Sequence, residues 1–182
     1  MSAGRPHRPA ATPLRVLVVK TTSMGDVVHA LPAVTDIARA HPGAVIDWLV
    51  EAQFAAIPAL HRDVRRVLPI TWRKWRKRLA TGATWRAIAE LRRQLRAERY
   101  DCVIDLQGLV KSAVWAMQAH GPRVGYAWQS AREPLASVFY GRRADLPGVG
   151  ELHAVERCRR LAAFALGDAA AVSAPEDRKS VV

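Results

Sequence analysis

The sequence predicts an α/β protein built on a parallel β-sheet that is wound in both directions and covered by helices on both faces. Short runs of β-branched and other apolar residues alternate along the chain with longer stretches of helical periodicity. Strands that alternate with helices in this way are typical of doubly wound sheets. The length of 182 residues fits a single domain with a substantial core.

The first half of the chain supplies three predicted strands and two helices. The run RVLVV at residues 15–19 predicts a strand that is buried on both faces. After a polar turn, apolar residues at helical spacing predict a helix over residues 26–39, which His41, Pro42 and Gly43 end. The pattern then repeats as a strand over residues 44–50, a short helix over 51–60 and a strand over 66–70.

The second half continues the alternation after a basic loop. An amphipathic helix is predicted over residues 84–99, where Ile88, Leu91 and Leu95 share one side. The remaining predictions are strands over residues 101–106 and 123–126, and helices over 110–120, 134–140 and 151–166. Together these elements predict a Rossmann-like domain over residues 14–167.

The two ends of the chain differ from this domain in composition. Residues 1–13 contain three prolines and no apolar core of a signal peptide, so we expect a disordered leader. Residues 168–182 are rich in Ala, Ser and charged residues without an apolar period, and we expect a linker or tail.

Several functional classes are disfavoured by composition. No apolar stretch reaches the roughly 20 residues that a membrane helix needs. Cys102 and Cys158 lie 56 residues apart in apolar segments, which favours buried thiols in a reducing cytoplasm over a disulfide framework. The six histidines never pair at metal-ligand spacing, so we expect neither a metal nor another cofactor.

Positive charge is concentrated in one part of the chain. The net charge is +12, and residues 62–99 contain thirteen Lys or Arg against three acidic residues. Such a patch indicates a polyanionic partner: a phosphorylated lipid, nucleic acid or an anionic membrane face. Tryptophans alternate with these cations, as in some proteins that bind single-stranded nucleic acid: Trp72, Trp75 and Trp85. A protein of that class would have no use for the carboxylate of Asp26, in the turn after the first strand.

The turn after the first strand is the strongest candidate for chemistry. In a doubly wound sheet, ligands bind beyond the carboxyl ends of the strands, where four segments are expected: residues 20–26, the basic loop after Ile70, residues 107–111 and the stretch near Trp128. Ser23 and Asp26 have the spacing of a helix capping box, which is the structural interpretation. The functional interpretation is that Asp26 acts as a general base at the mouth of the crevice, with Lys20 close enough to lower its basicity. The lone Gly25 does not form a dinucleotide-binding fingerprint, which disfavours a nucleotide-dependent oxidoreductase.

Five segments resemble the lipopolysaccharide heptosyltransferases, bacterial glycosyltransferases of the GT-B type. In order and at similar spacing, they are RVLVVKTTSMGDVVHALPAVTDI, TWRKWRKRL, YDCVIDLQGLVKSA, GYAWQSAREPLASVFY and HAVERCRRL. The resemblance covers residues 14–167. It implies inverting transfer of heptose from ADP-heptose to a Kdo residue of lipid A, in the cytoplasm and at the inner face of the inner membrane.

The resemblance also implies roles for individual residues. Asp26 matches the general base of the family, and Lys20, Ser23 and Gly25 match residues beside it. Acceptor-binding roles fall on Arg73, Arg76, Lys77 and Arg132. Gln107, at the end of a predicted strand, is a further candidate for hydrogen bonds to sugar hydroxyls, although a structural role at the strand end is an equal alternative. Glu133 is expected to form an ion pair with Arg132, and His153 to be structural.

The chain departs from the family in one respect. GT-B enzymes have two Rossmann-like domains and bind the nucleotide sugar mainly on the second, for which these residues contain no counterpart. We therefore expect a single domain of the two-domain architecture that transfers no heptose alone. The alternative hypothesis is a non-catalytic α/β module that binds anionic lipid or lipopolysaccharide and leaves Asp26 without a task.

Overall fold

The computed structural model describes residues 12–168, which form one six-stranded parallel sheet with helices on both faces. The strands are β1 (Arg15–Val19), β2 (Val45–Glu51), β3 (Val64–Ile70), β4 (Cys102–Asp105), β5 (Arg123–Tyr126) and β6 (Arg142–Ala144). Their order across the sheet is β3-β2-β1-β4-β5-β6. This is the Rossmann order, in which the chain leaves β1 toward one edge and later returns to build the other edge. The predicted fold class is confirmed.

The helices are α1 (Met24–Ala40), α2 (Ala56–Ala59), α3 (Trp72–Trp75), α4 (Gly82–Arg96), α5 (Val110–Ala116) and α6 (Ala154–Leu166). Two 3₁₀ helices span Ala52–Phe54 and Pro134–Phe139. None of the helices in the described part of the chain is long and apolar enough to cross a membrane.

The core consists of two apolar layers, one on each face of the sheet. Successive residues of a strand point to opposite faces, so Val16 and Val18 pack beneath α1 and α6, whereas Leu17 and Val19 pack beneath α4 and α5. All four side chains are fully buried. The uninterrupted apolar run RVLVV thus reflects a central strand that is covered on both sides.

Three elements differ from the sequence predictions. Strand β6 was not predicted, because its residues Arg142–Ala144 form an edge strand with two exposed arginines and no apolar run. The predicted loop after β3 contains α3, and the predicted helix over residues 51–60 is divided into a 3₁₀ turn and α2. The other strands and the long helices agree with the predictions to within a few residues at each end.

Both predicted end segments lie largely outside the described residues. The expected leader falls on residues 1–13, of which 1–11 are not described. The expected tail falls on residues 168–182, of which 169–182 are not described.

Candidate functional site

A cavity of about 240 Å³ lies at the carboxyl ends of β1 and β4, the point at which the strand order reverses. This is where doubly wound folds bind their ligands. The residues that line it come from the turn after β1 and the first turn of α1, the turn after β4, the end of β5 and the segment after it, the loop after β6 and the start of α6. They are Lys20, Asp26, Leu106, Gln107, Tyr126, Arg132, Val149, Gly150, Leu152, Ala154, Arg157 and Cys158. Four residues predicted from the sequence, Lys20, Asp26, Gln107 and Arg132, are therefore brought together.

The two carboxylate oxygens of Asp26 have different surroundings. The backbone N–H of Ser23 donates to Oδ2 at 3.0 Å, which is the capping interaction expected at the third position of a helix. The guanidinium of Arg132 also donates to Oδ2, at 3.0 Å. Oδ1 accepts no hydrogen bond from residues 12–168, and its nearest cation is the Lys20 ammonium at 3.9 Å. One oxygen is thus held by the protein, and the other is free to accept a proton.

The pKa of Asp26 lies below its usual value. Partial burial would by itself raise this pKa, but the backbone hydrogen bond from Ser23, the charge of Lys20 and the contact with Arg132 together outweigh burial. The carboxylate is therefore ionised at neutral pH, as a general base must be, and it is also a weak base while Arg132 remains bound to it.

Lys20 and Gln107 are buried and hold the turn after β1 in place. The Lys20 ammonium donates to the carbonyl of Leu106 at 2.8 Å, which joins the ends of β1 and β4. The Gln107 side-chain oxygen accepts the backbone N–H groups of Thr21 and Thr22, both at 3.1 Å. Because that oxygen is occupied, a contact between Gln107 and a sugar hydroxyl stays a prediction that involves its amide NH₂ group.

Ser23 and Gly25 lie at the exposed start of α1. Ser23 is the N-cap residue, and its hydroxyl is 3.4 Å from Asp26 Oδ2. A methyl group built on Gly25 would meet no atom within 4 Å. Packing within the domain therefore does not explain the glycine, and the space beside it is open to a ligand.

Arg132 reaches Asp26 because of a tight turn after β4. Gly108 adopts a φ of +69°, and a Cβ atom there would lie 2.9 Å from the Tyr126 ring and 3.4 Å from the Arg132 backbone nitrogen. Only glycine fits this left-handed position without displacing its neighbours. The expected ion pair between Arg132 and Glu133 is wrong, because Arg132 binds Asp26 while Glu133 accepts the first backbone N–H of α5, from Val110, at 2.7 Å.

The predicted acceptor residues Arg73, Arg76 and Lys77 are not among the residues that line the cavity. They lie in the basic segment, residues 72–79, which begins with α3 at the carboxyl end of β3. Their side chains are exposed. They share the ligand-binding edge of the sheet with Asp26 but sit two strands away from it.

Among the titratable side chains that line the cavity, sequence reasoning missed three: Tyr126, Arg157 and Cys158. Arg157 is 7% exposed, donates to the carbonyl of Ser130 at 2.6 Å and lies over the Tyr126 ring at 4.7 Å. Burial raises the pKa of the Cys158 thiol, which therefore stays protonated and is no nucleophile. Arg157 and Cys158 lie in the segment HAVERCRRL and Tyr126 lies in GYAWQSAREPLASVFY, so the resemblance covers all three without indicating a role for them. His153 is the N-cap of α6 and accepts the backbone N–H of Val155.

No group of three His, Cys, Asp or Glu side chains within residues 12–168 is arranged to hold a metal ion. The two cysteines are buried and unpaired with each other. The chemistry that the cavity offers from its own residues is thus a single ionised carboxylate, that of Asp26, with Lys20 and Arg132 beside it.

Comparison with known proteins connects this site to one family. Residues 88–180 match the family described as glycosyltransferase family 9 (heptosyltransferase). The chain is 51% identical over 155 residues to lipopolysaccharide heptosyltransferase 1 of Escherichia coli K12, a match that covers 85% of this chain and 48% of that protein. It is 52% identical over 158 residues to the protein of the same name from Pseudomonas aeruginosa, covering 84% of this chain and 43% of that one.

Solved structures give the same result. E. coli heptosyltransferase WaaC with ADP-2-deoxy-2-fluoro heptose superposes with a TM-score of 0.83 at 48% identity, over 91% of this chain and 51% of that one. E. coli ADP-heptose LPS heptosyltransferase II, at 22% identity and a TM-score of 0.62 over 82% of this chain and 40% of that one, shares the fold. The chain spans about half the length of the curated relatives that it matches.

Proposed function

This chain belongs to glycosyltransferase family 9, the heptosyltransferases, and we propose that it forms the acceptor-binding half of an inverting heptosyltransferase. The proposed reaction transfers heptose from ADP-heptose to Kdo of lipid A in lipopolysaccharide core synthesis. The similarity to lipopolysaccharide heptosyltransferase 1 supports this acceptor, and the ADP-2-deoxy-2-fluoro heptose complex of the E. coli enzyme supports this donor class.

The observation that carries the proposal is the position of Asp26 at the reversal point of the sheet with Oδ1 free. Oδ2 is anchored by Ser23 and Arg132, so the carboxylate is held in one orientation. A fixed carboxylate beside an open cavity has the geometry that a general base needs. The backbone N–H of Ser23 and the turn that Gln107 holds act as positioning groups.

In the proposed step, Asp26 Oδ1 takes the proton from the attacking Kdo hydroxyl. The hydroxyl oxygen forms a bond to the anomeric carbon of the heptose, on the face opposite ADP. The bond from that carbon to the diphosphate breaks, and ADP leaves with the electron pair. One displacement on the opposite face inverts the anomeric configuration.

We assign Arg132 to the carboxylate of Kdo. In the described structure, its guanidinium contacts Asp26, and 43% of its side chain is exposed, so an incoming carboxylate can reach it. Arg binds carboxylates with two parallel hydrogen bonds. When the acceptor carboxylate binds Arg132, the guanidinium no longer contacts Asp26. The pKa of Asp26 then rises, so that it becomes a stronger base when the acceptor is bound.

The basic segment is proposed to bind the phosphates of the lipid acceptor through Arg73, Arg76 and Lys77. These cations are exposed and form no ion pair within residues 12–168. We propose that the protein acts in the cytoplasm, at the inner face of the inner membrane, because its proposed acceptor is a lipid. We assign most of the contacts to ADP-heptose to the half of the relatives that lies outside their match with this chain.

Titration of the chain with a soluble Kdo glycoside tests the acceptor site. We expect saturable binding that weakens at least tenfold in Arg132→Met, because a charge-assisted contact to a carboxylate is removed. Arg39→Met, an exposed arginine at the far end of α1, is the matched control and should bind as the unmodified chain does. Equal affinity of the Arg132→Met variant would remove Arg132 from the site.

A further inference from the structure

An apolar groove of about 720 Å³ lies between α4 and α5, on the face of the sheet opposite α1 and α6. Its apolar walls are Trp72, Leu79, Trp85, Ile88, Val114 and Trp115. Three of these side chains are well exposed: Trp85 at 57%, Leu79 at 43% and Val114 at 39%. A contiguous exposed apolar surface of this kind marks a site of interaction.

Contacts within the protein fix the shape of the groove. The Trp85 indole N–H donates to the carbonyl of Leu79 at 2.7 Å, so the polar atom of the indole is satisfied within the protein. Trp115 packs against Trp72 and Trp75, with ring centres 6.4 and 5.7 Å apart. What Trp85 and Leu79 present to the outside is therefore apolar.

The rim of the groove is mainly cationic, and Glu133 is the one carboxylate among the residues that line it. The basic segment begins at Trp72 and ends at Leu79, and both of these residues line the groove. Between them lie five exposed cations that pair with no carboxylate of the described residues: Arg73, Lys74, Arg76, Lys77 and Arg78. Arg92, on the same side of α4 as Trp85 and Ile88, adds a further cation.

This combination matches the cross-section of a lipid leaflet. Cations next to the headgroups, an indole at the boundary and aliphatic side chains against acyl chains form the pattern of proteins that lie on a membrane surface. Nucleic acid would use the cations and the tryptophans, but it would leave the aliphatic walls formed by Leu79, Ile88 and Val114 without a role.

We propose that the groove and the basic segment are the surface through which this domain docks on an anionic lipid bilayer, with Trp85 and Leu79 inserted at the headgroup boundary. The inference deepens the membrane contact proposed above by naming the residues that make it. Lys111 lines the groove and also donates to Thr22 Oγ1 at 3.1 Å, in the turn that leads to Asp26. Docking through this surface therefore sets the crevice of Asp26 beside the leaflet that carries a lipid acceptor.

Flotation of the chain with vesicles tests the surface. We expect binding to phosphatidylethanolamine vesicles that contain phosphatidylglycerol, weaker binding as salt rises, and little binding to phosphatidylcholine alone. Lys74→Gln with Arg78→Gln should weaken binding roughly 25-fold, about fivefold for each cation. The charge-matched control is Arg39→Gln with Arg99→Gln, which removes two exposed cations away from the groove and should change binding less than threefold. Equal losses in both pairs would mean a general charge effect and would overturn the proposal.

The apolar part of the surface needs its own variants. Val114→Glu places a carboxylate in the groove and should reduce vesicle binding at least tenfold, whereas Val138→Glu, at a residue that is 57% exposed outside the groove, should not. Trp85→Ala should weaken binding, and Trp128→Ala, at a similarly exposed tryptophan, should not. Trp85→Ala also removes the contact to Leu79, so circular dichroism is needed to confirm that this variant folds. In a separate measurement, lipids with brominated acyl chains should quench the tryptophan fluorescence of the bound chain, and Trp85→Phe should lose most of this quenching.

Two further outcomes count against the proposal. Unchanged binding of Val114→Glu would exclude the groove, and a concentration-dependent dimer that Val114→Glu abolishes would assign the groove to a second copy. The soluble Kdo glycoside separates this inference from the proposed function. Binding to vesicles without binding to the Kdo glycoside would support the docking surface and contradict the proposed acceptor site. Binding to the Kdo glycoside without binding to vesicles would support the acceptor site and contradict the docking surface.

Discussion

Asp26 completes the start of α1 with one carboxylate oxygen and leaves the other for the proposed reaction. Oδ2 accepts the N–H of Ser23 and completes the start of α1, whereas Oδ1 accepts no hydrogen bond from the described residues. The capping interpretation and the catalytic interpretation of the sequence are therefore compatible, because each uses a different oxygen. A cap that fixes the carboxylate also supplies the orientation that a general base requires.

Gly25 offers a test in which stability and binding move in opposite directions. Gly25→Ala should stabilise the chain by about 0.5–1 kcal/mol, because alanine loses less backbone entropy than glycine inside a helix and meets no neighbour here. The added methyl group occupies the open space beside Asp26, so the Kdo glycoside should bind more weakly. Urea unfolding and ligand titration on the same sample check both. Unchanged ligand affinity would remove Gly25 from the site.

Arg132 makes the basicity of Asp26 adjustable. In Arg132→Met the pKa of Asp26 should rise, because burial would then be opposed by fewer lowering interactions. The carboxylate acts as a base only when it is deprotonated. As the pH is lowered, Arg132→Met should therefore lose this function at a higher pH than the unmodified chain does. An NMR titration of the Asp26 carboxyl carbon measures this, and Arg132→Lys, which keeps the charge, should shift less. Identical titration curves for the two variants and the unmodified chain would contradict the assignment.

The site was only partly predictable at this scale. Lys20, Asp26 and Gln107 follow directly from the rule that ligands bind beyond the carboxyl ends of the strands. Arg132 was identified by resemblance alone, because it reaches Asp26 across 106 positions of sequence through the turn at Gly108. Tyr126 and Arg157 lie in segments that resemble the family, but nothing in the sequence around them indicates the cavity, which only the packing of β5 and α6 in the fold creates.

Among the elements, β2 and β3 are joined by a buried charge network. Asp47 is fully buried and accepts hydrogen bonds from Arg65 at 2.9 and 2.7 Å, from Arg66 at 3.2 and 2.8 Å and from Tyr100 at 2.7 Å. Burial would raise the pKa of Asp47, but these donors lower it below its usual value. The network explains the two neighbouring arginines in the edge strand β3.

Removal of this carboxylate should destabilise the sheet. We expect Asp47→Asn to cost about 3 kcal/mol at pH 7, the lower end for broken buried ion pairs, because the arginines are one third exposed. The folded pKa is lowered, so the stabilisation is complete above the ordinary range of Asp and is lost as pH falls through the lowered pKa. Urea unfolding at pH 7 and at pH 3 should therefore show a smaller difference between the two proteins at pH 3. A difference that does not depend on pH would show that the charge of Asp47 contributes nothing.

The elements that were predicted well and those that were missed differ in a physical respect. β1 and α1 have patterns set by burial over many residues, and both were predicted within two residues at either end. β6 is three residues long and exposed, and α3 is one turn surrounded by cations, so neither has an apolar period. Their structures depend on neighbours that are distant in sequence: β5 for β6, and Trp115 for the tryptophans of α3.

At the scale of the whole molecule, the sheet order explains how separate motifs form one site. The strand order reverses between the parallel neighbours β1 and β4, so the turns after these two strands lie side by side although more than 80 residues separate them. The basic segment follows β3 at the same edge and faces the groove that α5 closes. One edge of the sheet thereby combines the carboxylate of Asp26, the guanidinium of Arg132 and a cationic apolar surface, which is what the proposed negatively charged, lipid-linked acceptor requires.

The central claim is that Asp26 is the base, and the rate of heptose transfer in Asp26→Asn tests it most directly. The domain is joined to the second half of E. coli lipopolysaccharide heptosyltransferase 1, and initial rates are measured with ADP-heptose and Kdo-lipid A. Asparagine still accepts the Ser23 N–H through its amide oxygen, so the fold and the acceptor affinity should change little. The account predicts a rate loss on the order of 10²–10⁴-fold, the contribution of a general base. A rate near that of the unmodified fusion, at unchanged acceptor affinity, would contradict it.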